Sequence, residues 1–377
     1  MKILCVFGEH NYGEPARGHG YEYVNFIPAF RRLGHEVVFF ESLNKKTYKD
    51  FTDLNRKFPR MVESEKPDII FCVLMGYELW LETLQMVREN SDALLINWAT
   101  DDSWKYEQFS RFMAPAFHAY ATTYPTAVSR ARQDGFSNFI LTQWAASAEK
   151  LAEPLPAAKC RYRVSFVGSA YGNRHKWMAE LKEHGIDVNC FGYGWNNGPV
   201  TAEEIPKIVR ESVVSLNFSD SGLIMKGLIP CRSRQIKART FEVPGAGGFL
   251  MTENADDLNR FYVPGKEAVS FDGINDLVDK IRFFLAHPEE RDKIAGAGHV
   301  RTRNEHSYDV RFRNLIAAAL QLRTIQGSKD TTAVGPPNPR LTPKYARGIF
   351  HQAGVAARFI GLLITAPINR RATVGKF

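Results

Sequence analysis

Arg163-Val164-Ser165-Phe166-Val167-Gly168, then a helical stretch His175–His184, then Asp187-Val188-Asn189-Cys190-Phe191-Gly192, is the passage that decides the fold. Two short apolar runs separated by one helix read as parallel strands joined by a crossover. Val213–Phe218 adds another strand, Gly248–Thr252 and Ala268–Phe271 are short ones, and Ile274–Ala286 has amphipathic helical spacing. The series is a restart. The first half already contains strands at Lys2–Phe7, Glu36–Phe40, Pro67–Leu74 and Ala93–Trp98, with helical patterns at Tyr21–Leu33 and Glu78–Arg88. Two Rossmann-like halves, 1–150 and 160–326, are therefore expected, separated by a relaxed Ala/Glu/Pro stretch at Ala145–Lys159. Such halves bind ligands in the cleft between them, at the carboxyl ends of the strands.

Beyond the second half, 327–343 is a Gly/Pro/Thr-rich linker and 344–377 a basic amphipathic tail. The formal charge of +8 belongs mostly to that tail, because 331–377 holds seven basic residues and no acids, leaving +1 for 1–330. A nearly neutral body argues against nucleic-acid binding, which needs clustered Lys and Arg. The tail fits a peripheral helix on an anionic membrane or, equally, a terminal helix folded back on the first half. The five cysteines form no C-x-x-C pair, which argues against a zinc or disulfide framework and for a reducing compartment. The run from Met1 to Gly8 reads as a strand rather than a leader, and no apolar stretch reaches about 18 residues. A cytoplasmic protein, peripheral on the inner membrane face through its tail, is the expectation.

Several segments together resemble one group, the GT-B glycosyltransferases related to the spore maturation protein CgeB. Arg239-Thr240-Phe241-Glu242-Val243-Pro244-Gly245-Ala246-Gly247-Gly248-Phe249-Leu250 is similar to that group's R-x-F-E-x-x-A-x-G-x-F-L pattern. Phe166-Val167-Gly168-Ser169, with Arg174 further on, resembles its F-V-G-S-x-x-x-x-R. Asn97-Trp98-Ala99-Thr100-Asp101-Asp102 resembles its N-W-x-x-D-D. Val263–Glu267, His287–Arg291 (closing a helix), Ala295–Gly298 and Glu305–Tyr308 follow in matching order.

The resemblance implies a GT-B α/β fold and a nucleotide-sugar donor, UDP- or GDP-linked, with no other cofactor and no metal. Glu242 would accept hydrogen bonds from the ribose hydroxyls. Arg239, Lys237 and Arg174 would neutralise the pyrophosphate. Gly168, Ser169 and Gly247 would bring backbone close to the donor, Gly168 leaving its N–H free for phosphate. Tyr193, in Phe191-Gly192-Tyr193-Gly194-Trp195, would border the base, and Ser219, Asp220 and Ser221 would lie at the cleft. The first half would bind a glycan, lipid-linked or protein acceptor. His19, Asp101 and Asp102, at strand ends facing the cleft, are the candidate catalytic groups. A second glutamate, eight residues before Glu242 in the large retaining families, is replaced here by Arg234, which leaves the stereochemical outcome open. A non-catalytic sugar-nucleotide or glycan binder, a GT-B nucleotide-sugar epimerase and an NAD-dependent oxidoreductase are the rival readings. The last is weakened because Gly8–Gly20 lacks a clean G-x-G-x-x-G.

Overall fold

A computed structural model describes residues 1–226 and 229–329 of the chain. The first sheet holds β1 (Lys2–Phe7), β2 (Glu36–Glu41), β3 (Ile69–Cys72), β4 (Leu94–Ala99), β5 (Ala119–Thr122) and β6 (Phe139–Leu141). All pair in parallel in the order β2-β1-β3-β4-β5-β6. The second holds β7 (Tyr162–Val167), β8 (Asn189–Phe191), β9 (Ser212–Asn217), then β12 (Leu250–Glu253) and β13 (Val269–Phe271) after an intervening hairpin. Its order is β13-β12-β9-β7-β8, again parallel. Strands this apolar on both faces need helices above and below, and each sheet has separate clusters of buried side chains on its two faces. These are the two Rossmann-like halves that the restart in the sequence implies, in the GT-B α/β architecture that the resemblance implies.

Besides β5 and β6, which no expected strand covers, three features depart from the sequence reading. The hairpin, β10 (Asp220–Lys226) with β11 (Ile229–Arg234), has no counterpart in it, although the apolar run Leu223-Ile224-Met225 gives a faint signal. His287–Arg291 does not close a helix. Pro288 opens the helix Pro288–Glu305, where its missing N–H costs nothing. The helix Tyr308–Lys329, placed with the second half by sequence order, packs on the first sheet instead. Tyr308, Phe312, Leu315, Ile316 and Ala319 enter the cluster built from Phe26, Phe30, Phe71 and Trp98.

The chain thus crosses between domains twice, and the crossings meet. The Ala146 N–H donates to the His306 carbonyl at 2.8 Å, and the Tyr308 N–H to the Ala146 carbonyl at 2.9 Å. The stretch expected as a linker is docked along the second domain. The fully buried Arg291 guanidinium donates to the Leu155, Ser212 and Val213 carbonyls, each at 2.8 Å. The basic tail 344–377 and the linker 327–343 lie outside the described residues, apart from the helix end at Lys329.

Candidate active site in the interdomain cleft

Two adjoining chambers open between the domains at the carboxyl ends of both sheets. The larger, about 540 Å³, is lined by His19, Tyr21, Lys150, Tyr193, Arg239 and Glu242 among others. The smaller, about 300 Å³, is lined by His10, Tyr12, Glu22, Asp101, Trp144 and Lys237 among others. Tyr21 and Asn11 line both, so the chambers adjoin at these residues. Their sizes fall in the range of small-molecule sites.

The second-domain wall is cationic. Arg174 opens the helix Arg174–Glu183 after β7, is buried, and donates to the Ser169 carbonyl at 2.7 Å and the Tyr171 hydroxyl at 3.2 Å. Its guanidinium lies 4.0 Å from the centre of the Tyr171 ring. Lys237 and Arg239 come from the approach to, and first turn of, the helix Arg239–Gly245. Arg239 donates to the Val167 carbonyl at 3.2 Å and forms an ion pair with Glu242 one turn on.

Burial lowers the pKa of every one of these cations, and the like charge of Arg174 adds to the effect at Lys237 and Arg239. Lys237 is pushed down to about 8, although Asp101, Asp220 and Glu253 pull it back up. Lys150, on the docked stretch, is lowered by burial and by Arg239, with Glu203 opposing. Four cations held close together and short of water favour an anionic ligand that restores their solvation. Beside them, Tyr193 is 58% exposed on the chamber wall and offers a ring face for a base.

The first-domain wall is acidic and imidazole-bearing. Asp101 ends β4's extension into the cleft, accepting from the Thr100 hydroxyl at 3.2 Å, with Lys105 Nζ 3.9 Å away. Glu22, in the first turn of the helix Tyr21–Arg32, has its pKa raised by burial and by Asp101. His19 stacks on His10 with ring centres 5.0 Å apart and on Tyr23 at 5.3 Å.

Against known proteins, residues 174–317 match the family model described as "Glycosyl transferase-like". The spore protein CgeB of Bacillus subtilis (strain 168) is 24% identical over 163 residues, which is 38% of this chain and 49% of CgeB. The chain thus spans about half the length of that curated relative. Among solved structures, the lipopolysaccharide outer core galactosyltransferase WaaB superposes with a TM-score of 0.54 at 12% identity, over 84% of this chain and 99% of WaaB. HepE of Anabaena, in complex with UDP-glucose, gives 0.54 at 11% identity, over 87% and 100%. Residues 174–317 are thus similar to glycosyl transferase-like proteins, part of the chain is similar to CgeB, and its two domains share the fold of the GT-B glycosyltransferase class.

Within that class, the geometry sorts the residues chosen from the sequence. His19, Tyr193, Arg239 and Glu242 meet in the larger chamber, and Asp101 and Lys237 in the smaller. Arg174 lines neither and acts from behind the wall through its charge on Lys237 and Arg239. Asp102 does not reach either. It is 1% exposed and accepts from the Ser110 hydroxyl beneath the wall, where burial raises its pKa. Gly168 is committed to the scaffold. Its N–H donates to the Phe191 carbonyl at 2.8 Å, and its carbonyl accepts from Trp195 Nε1 at 2.7 Å. The Ser169 carbonyl serves Arg174.

Gly247 adopts φ +80°, and a Cβ there would lie 2.5 Å from the Ala152 carbonyl oxygen. Its bareness therefore admits the docked interdomain stretch, not a donor. Asp220 closes the hairpin opposite Arg234. Arg234 in turn pairs with Glu253 at 3.4 Å and Asp272 at 3.0 Å. Lys150 and Glu22 are the cleft residues that the sequence reading missed. Nothing in the stretch around Lys150 signals it, whereas Glu22 was visible as an acid opening a cleft-facing helix.

Proposed function

We propose that the protein transfers a sugar from a UDP- or GDP-linked donor to a glycan, lipid-linked or protein acceptor. The observation that carries this reading is a partly buried cation group at the cleft, with Lys237, Arg239 and Lys150 on the chamber walls and Arg174 behind them, in which Arg174 repels Lys237 and Arg239, and Arg239 repels Lys150. A pyrophosphate would relieve that repulsion, which would make a metal at the pyrophosphate dispensable. Glu242 then faces the ribose diol with the acceptor capacity that Arg239 leaves free, and Tyr193 stacks on the base. On the opposite wall Asp101 takes the acceptor proton. It shares the smaller chamber with Lys237, whose charge it feels across the cleft.

The test is calorimetry with UDP and GDP, then assay of nucleoside diphosphate release from a panel of nucleotide sugars with and without glycan acceptors. Micromolar binding of one diphosphate with acceptor-dependent release is expected. Failure of every nucleotide to bind sinks the reading, and binding without any turnover would favour a non-catalytic nucleotide-sugar binder. Among the described residues no helix is long and apolar enough to cross a membrane. Peripheral attachment at the inner membrane face through 344–377 belongs to the same proposal. Equal pelleting with anionic liposomes by the intact protein and a form ending at Gln326 would remove it.

A further inference from the structure

Three ligand-type side chains converge on the first-domain wall, away from the cation group. Glu9 and His10 leave β1, His19 returns from the far side of the same loop, and an antiparallel bridge joins His10 to His19. The loop is closed on both sides of that bridge. The Gly20 N–H donates to the Glu9 carbonyl at 2.8 Å, and the Asn11 N–H to the Gly18 carbonyl at 3.0 Å. The Glu9 N–H is itself held by the Glu41 carboxylate at 2.8 Å. Between these anchors Tyr12 sits at φ 56° and Gly13 at φ 72°, left-handed positions that a folded surround has to impose.

One ligand atom from each of Glu9, His10 and His19 lies within 4.8 Å of the other two. The two carboxylate oxygens of Glu9 are divided between the histidines. Oε2 is 4.0 Å from His10 Nδ1 and Oε1 is 3.9 Å from His19 Nδ1. Those gaps are too long for hydrogen bonds. His10 Nδ1 is buried and has no hydrogen-bond partner, which costs free energy unless something else occupies it. Around a tetrahedral zinc ion with ligand bonds of about 2.1 Å, neighbouring ligand atoms stand roughly 3.4 Å apart. The observed set, within 4.8 Å, is thus open by up to about 1.4 Å compared with that spacing. A turn of the His19 ring, which is exposed and stacks on His10 at 20° from parallel, would draw the set together.

We propose that Glu9, His10 and His19 bind a divalent first-row transition-metal ion of zinc type. Two imidazoles and one carboxylate are a donor set such ions accept, and three protein ligands leave a fourth position open. That position would lie beside the cleft, since His19 lines the larger chamber and His10 the smaller. Water fills it in the free protein, and an oxygen of the incoming acceptor can replace that water. This last step rests on the transfer reading, whereas metal binding does not. His19 is then a ligand and positioning residue, which leaves the proton-accepting role to Asp101.

The full chain, stripped with a chelator, is titrated with Co²⁺ and its visible d–d absorption followed, then with Zn²⁺ by calorimetry. One equivalent is expected to bind, with the intensity of a four-coordinate cobalt site. His10→Ala and His19→Ala should each weaken binding at least about tenfold, while His35→Ala, remote from the loop, should leave it unchanged. UDP calorimetry on the same samples reports whether each variant is folded and whether the donor site fails independently. Absence of stoichiometric binding, or equal affinity in wild type and both cleft-histidine variants, overturns the site.

Discussion

The two walls of the cleft are built in different ways. The second-domain wall takes Lys237, Arg239 and Glu242 from the approach to and first turn of one helix, with Arg174 behind them at the start of another, positions fixed by a sheet and by packing beneath it. The first-domain wall takes Glu9, His10 and His19 from one irregular loop, joined by Asp101 at a strand end and Glu22 in a first helical turn. One wall is cationic and short of water, the other acidic and half-open. The difference suits their tasks. A nucleotide diphosphate is the same object in every turnover and rewards rigid, pre-paid desolvation, whereas acceptors vary, and loops adapt with less cost to the fold.

The largest effect should come from the acceptor wall. Asp101→Asn removes the proposed proton acceptor with little change in shape, and turnover should fall by about 10²–10⁴-fold. UDP affinity should stay within about threefold, since Asp101 reaches the donor wall only through its field on Lys237. Steady-state kinetics beside calorimetry separates the two readouts. A variant that lost nucleotide affinity and turnover in equal measure would erase the division of labour between the walls.

Glu242→Gln probes the other wall and should cost less. It should weaken UDP binding by about 30-fold, or roughly 2 kcal/mol, the scale of a hydrogen bond to a charged group. Part of that loss could come from Arg239, which the substitution leaves without its ion-pair partner. Comparing UDP with its 2′,3′-dideoxy analogue isolates the ribose. Wild type should prefer UDP about tenfold or more, and the variant should bind both alike. A variant that kept the preference would show that Glu242 serves Arg239 alone.

The same contrast explains what the sequence could tell. Alternating apolar runs and helical spacing marked all five strands of the second sheet and four of the six in the first, whereas the short β5 and the short, partly exposed β6 left no such pattern. The Arg239–Leu250 segment was legible because its Phe241, Val243 and Phe249 are core residues at fixed spacing from Glu242. Periodicity identifies an apolar face but not its partner. No helix was expected over 308–329, and the spacing of Phe312, Leu315 and Ile316 would not have revealed that it returns to the first sheet. Adjacent acids look alike in sequence, so Asp101 at the chamber and Asp102 beneath it were indistinguishable until burial was known. Glycines mislead in the same way. Gly247 and Gly168 occupy donor-type motifs, yet one admits the Ala152 carbonyl and the other packs under Phe166.

The smallest effect, and the one most specific to a buried cation wall, is the pH dependence of nucleotide affinity. Burial, then the repulsion of Arg174 against the pull of Asp101, leaves Lys237 at about 8 in the free protein, below its ordinary 10.5. A bound diphosphate favours the ammonium form and moves that value back up. Above pH 8 the free protein has lost a proton that the complex retains, so binding must take one up, and affinity falls as pH rises. The nucleotide adds no slope there, because its terminal phosphate has a second pKa near 6 and is already fully ionised. UDP affinity should therefore be level from pH 7 to about 7.5 and decline about tenfold by pH 9, a change of about one pH unit or 1.4 kcal/mol. Lys237→Met should bind about tenfold more weakly at pH 7 and show no decline. The same slope in both proteins would move the titrating group elsewhere on the wall, and a level profile in wild type would mean that Lys237 never meets the diphosphate.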